Sequence, residues 1–352
     1  MIKVAILGAG IGQQHLTGYR ALPERFSVKT ICDLDPSRAT AAAGPESNIQ
    51  IVTDMADVMS DPDIDLIDVC LPPHLHASVV IQALEAGKNV ICEKPISRSL
   101  AEVDQIQAAI DKTGGQVFPV FQYRFGLAFA QLTALCDAGL AGKALVASAE
   151  THWNRESDYY TVPWRGTWKG ESGGVLLGHA IHSHDILCKV LGPVKQVFAL
   201  TDTRVNDIEV EDCAALSLRM QSGALVTSSV TLGAAPDTSR LKFCFEGLTA
   251  ESGSDPYTPA QGAWNFTARG ATRQDDVDKV LATVPAALSG FTGFLDAIAD
   301  AISGQGGTEV TFEDGRRSIE LVTAIYASAR RGKLVQLPIE KEDPLCSGWL
   351  PS

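Results

Sequence analysis

The sequence predicts an α/β domain with a doubly wound parallel sheet, followed by an α+β domain built on a large, mostly antiparallel open sheet. Three observations carry this. Up to Gln122, short apolar runs alternate with stretches whose apolar residues recur at helical spacing. The first of these runs leads directly into a glycine-rich turn. Beyond Arg124 the strand-like runs alternate apolar and polar residues and are joined by turns. A chain of 352 residues is long for one core, and the change of pattern divides it into domains 1–122 and 123–352.

In the first domain, Ile2 to Leu7 is the opening strand and Gly8-Ala9-Gly10-Ile11-Gly12 follows it. A strand, a glycine turn and a helix N-terminus form a place where backbone amides hold a pyrophosphate, the Rossmann arrangement. Gly8 and Gly10 keep the fingerprint spacing; its third glycine would fall on Gln13, and Gly12 comes one residue early. Phe26 to Cys32 ends in Asp33, about twenty residues on, where an acidic side chain meets the ribose hydroxyls. A carboxylate there repels a 2′-phosphate and favours NAD, while Arg38 close behind keeps NADP open as a cofactor.

Ile64 to Leu71 runs into Pro72-Pro73-His74-Leu75-His76, and the helical spacing of Ala77 to Glu85 stops at Gly87. Asn89 to Cys92 is a strand followed at once by Glu93, Lys94 and Pro95. The charged pair thus stands at the carboxyl end of a parallel strand, the edge where open α/β sheets bind ligands. Ser99 with Glu102 makes a capping box for a helix through Val103, Ile106 and Ile110, and Val117 to Gln122 is the last strand of a sheet read as six-stranded, of which five apolar runs are located.

In the second domain, Phe129 to Ala138 reads as a helix, and Ala144–Trp153, Val194–Thr201, Ala214–Met220, Ala224–Thr231 and Arg240–Glu246 read as strands. Gln221-Ser222-Gly223 marks a hairpin. A sheet of this kind packs one face on helices and leaves the other free, a natural oligomer surface. Thr249 to Arg273 is loop with short strands; Phe291–Ile302 and Arg317–Arg330 are helical, and Lys333–Ile339 is extended.

Chemistry concentrates in Gly173-Gly174-Val175-Leu176-Leu177-Gly178-His179-Ala180-Ile181-His182-Ser183-His184-Asp185. Helical spacing puts His182 and Asp185 on one face, with His179 a turn before them. A histidine with pKa near 6.5 suits removal of a hydroxyl proton at neutral pH. The cluster invites a metal reading, but helix geometry cannot aim His182, His184 and Asp185 at one ion, and no metal is expected. Tyr159, Trp164, Arg165 and Trp168 can supply stacking surface and hydrogen-bond donors.

Lys plus Arg number 29 against 42 Asp plus Glu, a net charge of −13 without any basic run, which argues against nucleic acid and anionic membrane as partners. No signal peptide or membrane-length apolar run is visible. The eight cysteines form no CxxC pair and several sit in apolar runs, which points to a reducing compartment and a cytoplasmic location.

The glycine turn with its nearby histidine, Pro72 with His76 four residues on, Ala86-Gly87-Lys88, and Glu93-Lys94-Pro95 together resemble the Gfo/Idh/MocA family of NAD(P)-dependent oxidoreductases. The resemblance implies that Lys94 lies against nicotinamide and substrate, orients the reacting hydroxyl and tunes a catalytic histidine. It places His76 in the cofactor crevice, with Gln122 and Arg124 lining it. His182 and Asp185 match the family's histidine and second aspartate. Gly178 stands where its first aspartate would be, with His179 beside it as a substitute polar group. A sugar, polyol or inositol dehydrogenase that dimerises or tetramerises is what the resemblance implies, with His182 facing Lys94 across the nicotinamide. Two alternatives within the family are an enzyme that retains NAD and cleaves glycosidic bonds by transient oxidation, and a sensor without turnover.

Overall fold

A computed structural model describes residues 1–45 and 47–351. The chain forms two compact units, one of residues 1–121 and 291–316, the other of 122–290 and 317–352.

The first unit is a six-stranded parallel sheet. Its strands are β1 (Ile2–Leu7), β2 (Phe26–Cys32), β3 (Gln50–Val52), β4 (Leu66–Val69), β5 (Asn89–Cys92) and β6 (Val117–Pro119), in the order β3-β2-β1-β4-β5-β6. Helices α1 (Gly12–Arg20), α2 (Pro36–Ala43), α3 (Met55–Ser60), α4 (Pro73–Glu85) and α5 (Leu100–Thr113) connect them. Strand order reverses between β1 and β4, so the loops leaving their carboxyl ends part and open a crevice. Val4–Leu7, Leu66–Val69 and Val90–Cys92 are buried throughout, the pattern of a sheet covered on both faces.

Local chemistry sets the boundaries. Asp35 caps α2 by accepting from the Ser37 and Arg38 amides, and Pro36 opens the helix with its φ already helical. The fourth helix starts at Pro73, earlier than the spacing of Ala77–Glu85 indicates, so His74 and His76 lie in its first turn. Ser99 Oγ accepts the Glu102 amide at 3.1 Å, but the Glu102 carboxylate returns to the Arg98 amide at 2.8 Å, one residue before the usual capping-box partner.

The second unit is an eight-stranded sheet of β7 (Ala144–Asn154), β8 (Val194–Asp202), β9 (Cys213–Met220), β10 (Leu225–Thr231), β11 (Gly233–Phe245), β12 (Leu248–Glu251), β13 (Asn265–Ala268) and β14 (Val335–Gln336). Their order is β13-β12-β11-β7-β10-β9-β8-β14, and every neighbouring pair is antiparallel except β7 with β10. Its helices are α6 (Leu127–Asp137), α7 (Trp168–Glu171), α8 (Ile181–Leu191), α9 (Gln274–Thr283) and most of α11 (Phe312–Arg331), whereas α10 (Gly290–Ile302) clusters with the first unit. Ala214, Leu216, Leu218 and Met220 of β9 are buried while the residues between them are exposed. The inner face meets α8, where Ser183 Oγ lies 3.0 Å from Thr151 Oγ1 and His184 Nε2 lies 2.9 Å from Ser228 Oγ. Val146, Phe198, Leu200 and Leu225 are exposed large apolar residues of the same sheet.

The sequence-based division keeps everything after residue 122 in one domain, whereas residues 291–316 cluster with the first unit. Side-chain contacts explain why. Phe291 lies with its ring centroid 4.4 Å from that of His15, Gly18 has no room for a Cβ beside Leu295, and Arg25 bonds Asp296 and Asp300 at 2.5 Å each. Helical spacing marks α10 as amphipathic but carries no information about which sheet receives it. Among the described residues, no helix is long and apolar enough to cross a membrane.

Candidate active site

In the first unit the glycine turn is held in shape by close packing. Gly8 has φ +97°, and a Cβ there would stand 2.4 Å from the Cys70 carbonyl oxygen; at Gly12 it would meet the Ile6 side chain at 2.7 Å. At Gly10 a Cβ would meet nothing within 4 Å. Ile11, the residue before α1, is exposed. Asp33, buried at the end of β2, accepts from the Ala9 amide at 2.7 Å and from the Asp35 amide at 2.8 Å. Arg38 reaches the same carboxylate at 3.1 Å. Turn and acidic residue therefore form one unit, with the Arg38 guanidinium at its edge.

At the ends of β4 and β5, buried histidines hold the crevice loops. His76 is fully buried, with Nδ1 2.6 Å from the Pro95 carbonyl oxygen and Nε2 2.7 Å from that of Leu71. Burial lowers its pKa, outweighing the two carbonyls that favour the charged ring. Pro72 caps α4, and His74 is exposed. Glu93 Oε2 accepts the Lys94 amide at 3.0 Å, and Glu93 Oε1 lies 3.1 Å from His15 Nε2. Lys94 is half-buried and its peptide to Pro95 is cis.

His15, Asp68 and Cys70 bring possible metal-ligand atoms within 4.8 Å of one another. Their chemistry fits a hydrogen-bond network better. His15 and Tyr19 both bond Asp68 Oδ2, at 2.8 and 2.9 Å, and burial pushes the Cys70 thiol pKa up.

In the second unit, Gln122, Tyr123 and Arg124 form a short 3₁₀ turn. Arg124 grips Asp185 through Nε at 2.6 Å and Nη2 at 2.5 Å, both side chains being buried. Arg124, expected to line the crevice, and Asp185, matched to the family's second aspartate, bond each other. Tyr123 stacks on His182 with ring centroids 4.3 Å apart and planes 18° apart. The Gln122 side-chain oxygen is buried and has no hydrogen-bond partner among the described residues.

His182 is the second residue of α8, directly after a π-helical turn over Leu176–Ala180. Such turns widen the helix and re-aim side chains. This one contains Gly178, where a Cβ would meet nothing within 4 Å. His179 sits against Trp153 (5.3 Å) and Tyr159 (6.1 Å), and Arg165 lies over the rings of Tyr159 (4.1 Å) and Trp164 (4.7 Å). His184 faces the sheet, and burial lowers its pKa to about 4.

Glu211, Trp153, Arg155 and Tyr257 escape the sequence reading. Glu211 is buried and accepts from the amides of Gly174 (3.1 Å) and Leu176 (3.2 Å) and from Tyr326 Oη (2.9 Å). A Cβ at Gly174 would overlap the Glu211 carbonyl at 1.9 Å, which accounts for a glycine there. Burial raises the Glu211 carboxyl pKa to about 7. In sequence it sits among Asp207, Glu209 and Asp212, indistinguishable from a solvated acidic loop. Arg155 lies over Trp153, Tyr159 and Tyr257 at 5.3, 5.3 and 5.8 Å.

The crevice at the strand-order reversal, with its glycine turn and Asp33, agrees with what known proteins show. Residues 2–121 match the family model described as "Oxidoreductase family, NAD-binding Rossmann fold", and residues 129–250 match the GFO/IDH/MocA C-terminal domain. The chain belongs to the Gfo/Idh/MocA oxidoreductase family. Its first unit is an NAD-binding Rossmann domain. The oxidoreductase YrbE of Bacillus subtilis is 30% identical over 230 residues, 64% of this chain and 65% of that protein. Myo-inositol 2-dehydrogenase of Thermotoga maritima is 28% identical over 64% of this chain and 66% of its own length. The WlbA dehydrogenase of Bordetella pertussis, solved with NADH and UDP-GlcNAcA, superposes with a TM-score of 0.84 at 26% identity, covering 96% of this chain and 99% of that one. The sequence alignments to the first two thus span about two thirds of those relatives.

Proposed function

We propose that the protein is an NAD-dependent dehydrogenase of a sugar, polyol or inositol. The observation that carries this reading is Lys94 at the carboxyl end of β5, its peptide fixed by Glu93, in a domain whose glycine turn is tied to Asp33. In the oxidative direction the substrate hydroxyl gives up its proton, its carbon passes a hydride to NAD, and a carbonyl forms. Lys94 orients and polarises the oxygen, and His182 takes the proton. NAD supplies the hydride acceptor when bound. The exposed apolar residues of the second sheet, Val146, Phe198, Leu200 and Leu225, form the interface of a homodimer or homotetramer, and the protein works in the cytoplasm.

Following reduced-nicotinamide absorbance with myo-inositol, free sugars and sugar acids, at equal NAD and NADP, tests the activity. A substrate-dependent signal that is larger with NAD is expected. Silence across the panel with NADH binding intact would sink the dehydrogenase and leave the NAD-retaining glycoside-cleaving enzyme or the sensor. Light scattering that returned a monomer would remove the proposed interface.

A further inference from the structure

His15 is not needed to bind a dinucleotide by its backbone, yet it is fully buried and engages charged groups on both ring nitrogens. It projects from α1, directly behind the glycine turn. Nδ1 lies 2.8 Å from Asp68 Oδ2 on β4, and Nε2 lies 3.1 Å from Glu93 Oε1 at the exit of β5. The other oxygen of Glu93 accepts the Lys94 amide at 3.0 Å. One residue further on, the Pro95 carbonyl lies 2.6 Å from His76.

We propose that His15 is a positioning residue for Lys94, tying the helix behind the glycine turn to Glu93, which in turn fixes the peptide that carries the lysine. The inference rests on the reading of Lys94 as a catalytic residue.

The geometry favours a protonated His15. With a carboxyl group at hydrogen-bond distance from each ring nitrogen, the imidazolium can donate from both. Burial opposes that charge, but Asp68 and the hydrogen bonds outweigh it and hold the pKa well above the ordinary histidine range. Tyr19 from α1 and Cys70 after β4 both bond Asp68 and stay protonated, and α10 contributes the uncharged ring of Phe291. The imidazolium thus offsets part of the negative charge that Asp68 and Glu93 place near Lys94.

Replacing the imidazolium by a neutral amide removes that cation and makes the surroundings of Lys94 more negative. The Lys94 ammonium is then favoured, and its pKa rises. Competitive acetylation of the whole protein with acetic anhydride, read for the Lys94 peptide by mass spectrometry across a pH series, measures this. His15→Gln is expected to raise the apparent pKa of Lys94 by about half a unit, an amine about threefold less reactive at fixed pH. Glu93→Gln is expected to move it the opposite way. A purely structural role predicts no such opposed pair, so an unchanged or lowered pKa in His15→Gln would overturn the inference. Should that variant not fold, ¹⁵N-histidine NMR of the unaltered protein at about pH 8 decides, because a neutral His15 ring would overturn it as well. A Lys94→Ala variant that kept full turnover would remove the catalytic reading while leaving the acetylation result intact, so the two failures are distinguishable.

Discussion

The buried network behind the glycine turn and the ring-stacked arginines of the second unit hold charge in contrasting ways. In the first, His15, Asp68 and Glu93 lie inside the protein and each is engaged by short hydrogen bonds. In the second, Arg155 and Arg165 lie over aromatic rings, stay partly exposed, and face Asp237 and Glu171 at 3.4 and 3.6 Å. A network closed on itself holds backbone in one geometry, as a dinucleotide of fixed shape requires. Stacked arginines with open edges can re-pair with hydroxyls of differing arrangement. The cofactor side is a closed network, and the arginines of the second unit keep open edges.

Substitutions sharpen or break this contrast. The largest effect is expected at the proton-handling residues: His182→Asn and Lys94→Ala should each lower kcat by about 10²-fold or more. Near-normal turnover of either, with any substrate found, would end the proposed mechanism. Arg124→Met removes the bidentate partner of buried Asp185 and should cost about 3–5 kcal/mol in a urea melt, showing that the second unit also contains a closed pair. A loss below 1 kcal/mol would mean that Asp185 finds water or another donor.

Glu211 gives a pH signature. Its folded pKa of about 7 exceeds the ordinary glutamate value, so the folded state holds the proton more tightly than the unfolded chain does. Stability from this group is complete below about pH 4.5 and falls by about 3 kcal/mol as pH rises to about 7. Glu211→Gln should flatten that slope in melts recorded across the range, and an unchanged slope would assign it elsewhere. The smallest effect on stability belongs to Gly178→Asp. The added side chain enters open space, so stability should change by within about 0.5 kcal/mol, whereas KM for the sugar should shift severalfold. An unchanged KM would place Gly178 away from the substrate.

Period and punctuation made most of this fold legible. Apolar runs ending in glycine, proline or charge located five strands of the parallel sheet within a few residues, because a sheet buried on both faces needs continuous apolar sequence. The sixth, Gln50–Val52, has three residues and no fully buried side chain, and carried no such signal. On the crevice side, Asp33 and Lys94 stood out because strand ends are marked by the chemistry that follows them. Arg124 and Asp185 were recognisable as a charged residue at a turn and another on a helix face; that they bond each other depends on tertiary placement across 61 residues. The π-helical turn before His182 was invisible for a related reason, since helical spacing in sequence does not distinguish four residues per hydrogen bond from five.

The return of α10 to the first unit bears on biosynthesis. Phe291 covers His15, and Leu295 fills the space beside Gly18, so the Rossmann unit lacks part of its own covering until the ribosome has passed residue 295. A fragment ending at Phe121 would leave that helix surface and Arg25 without Phe291, Leu295, Asp296 and Asp300, and would emerge from expression as a sticky, incomplete domain.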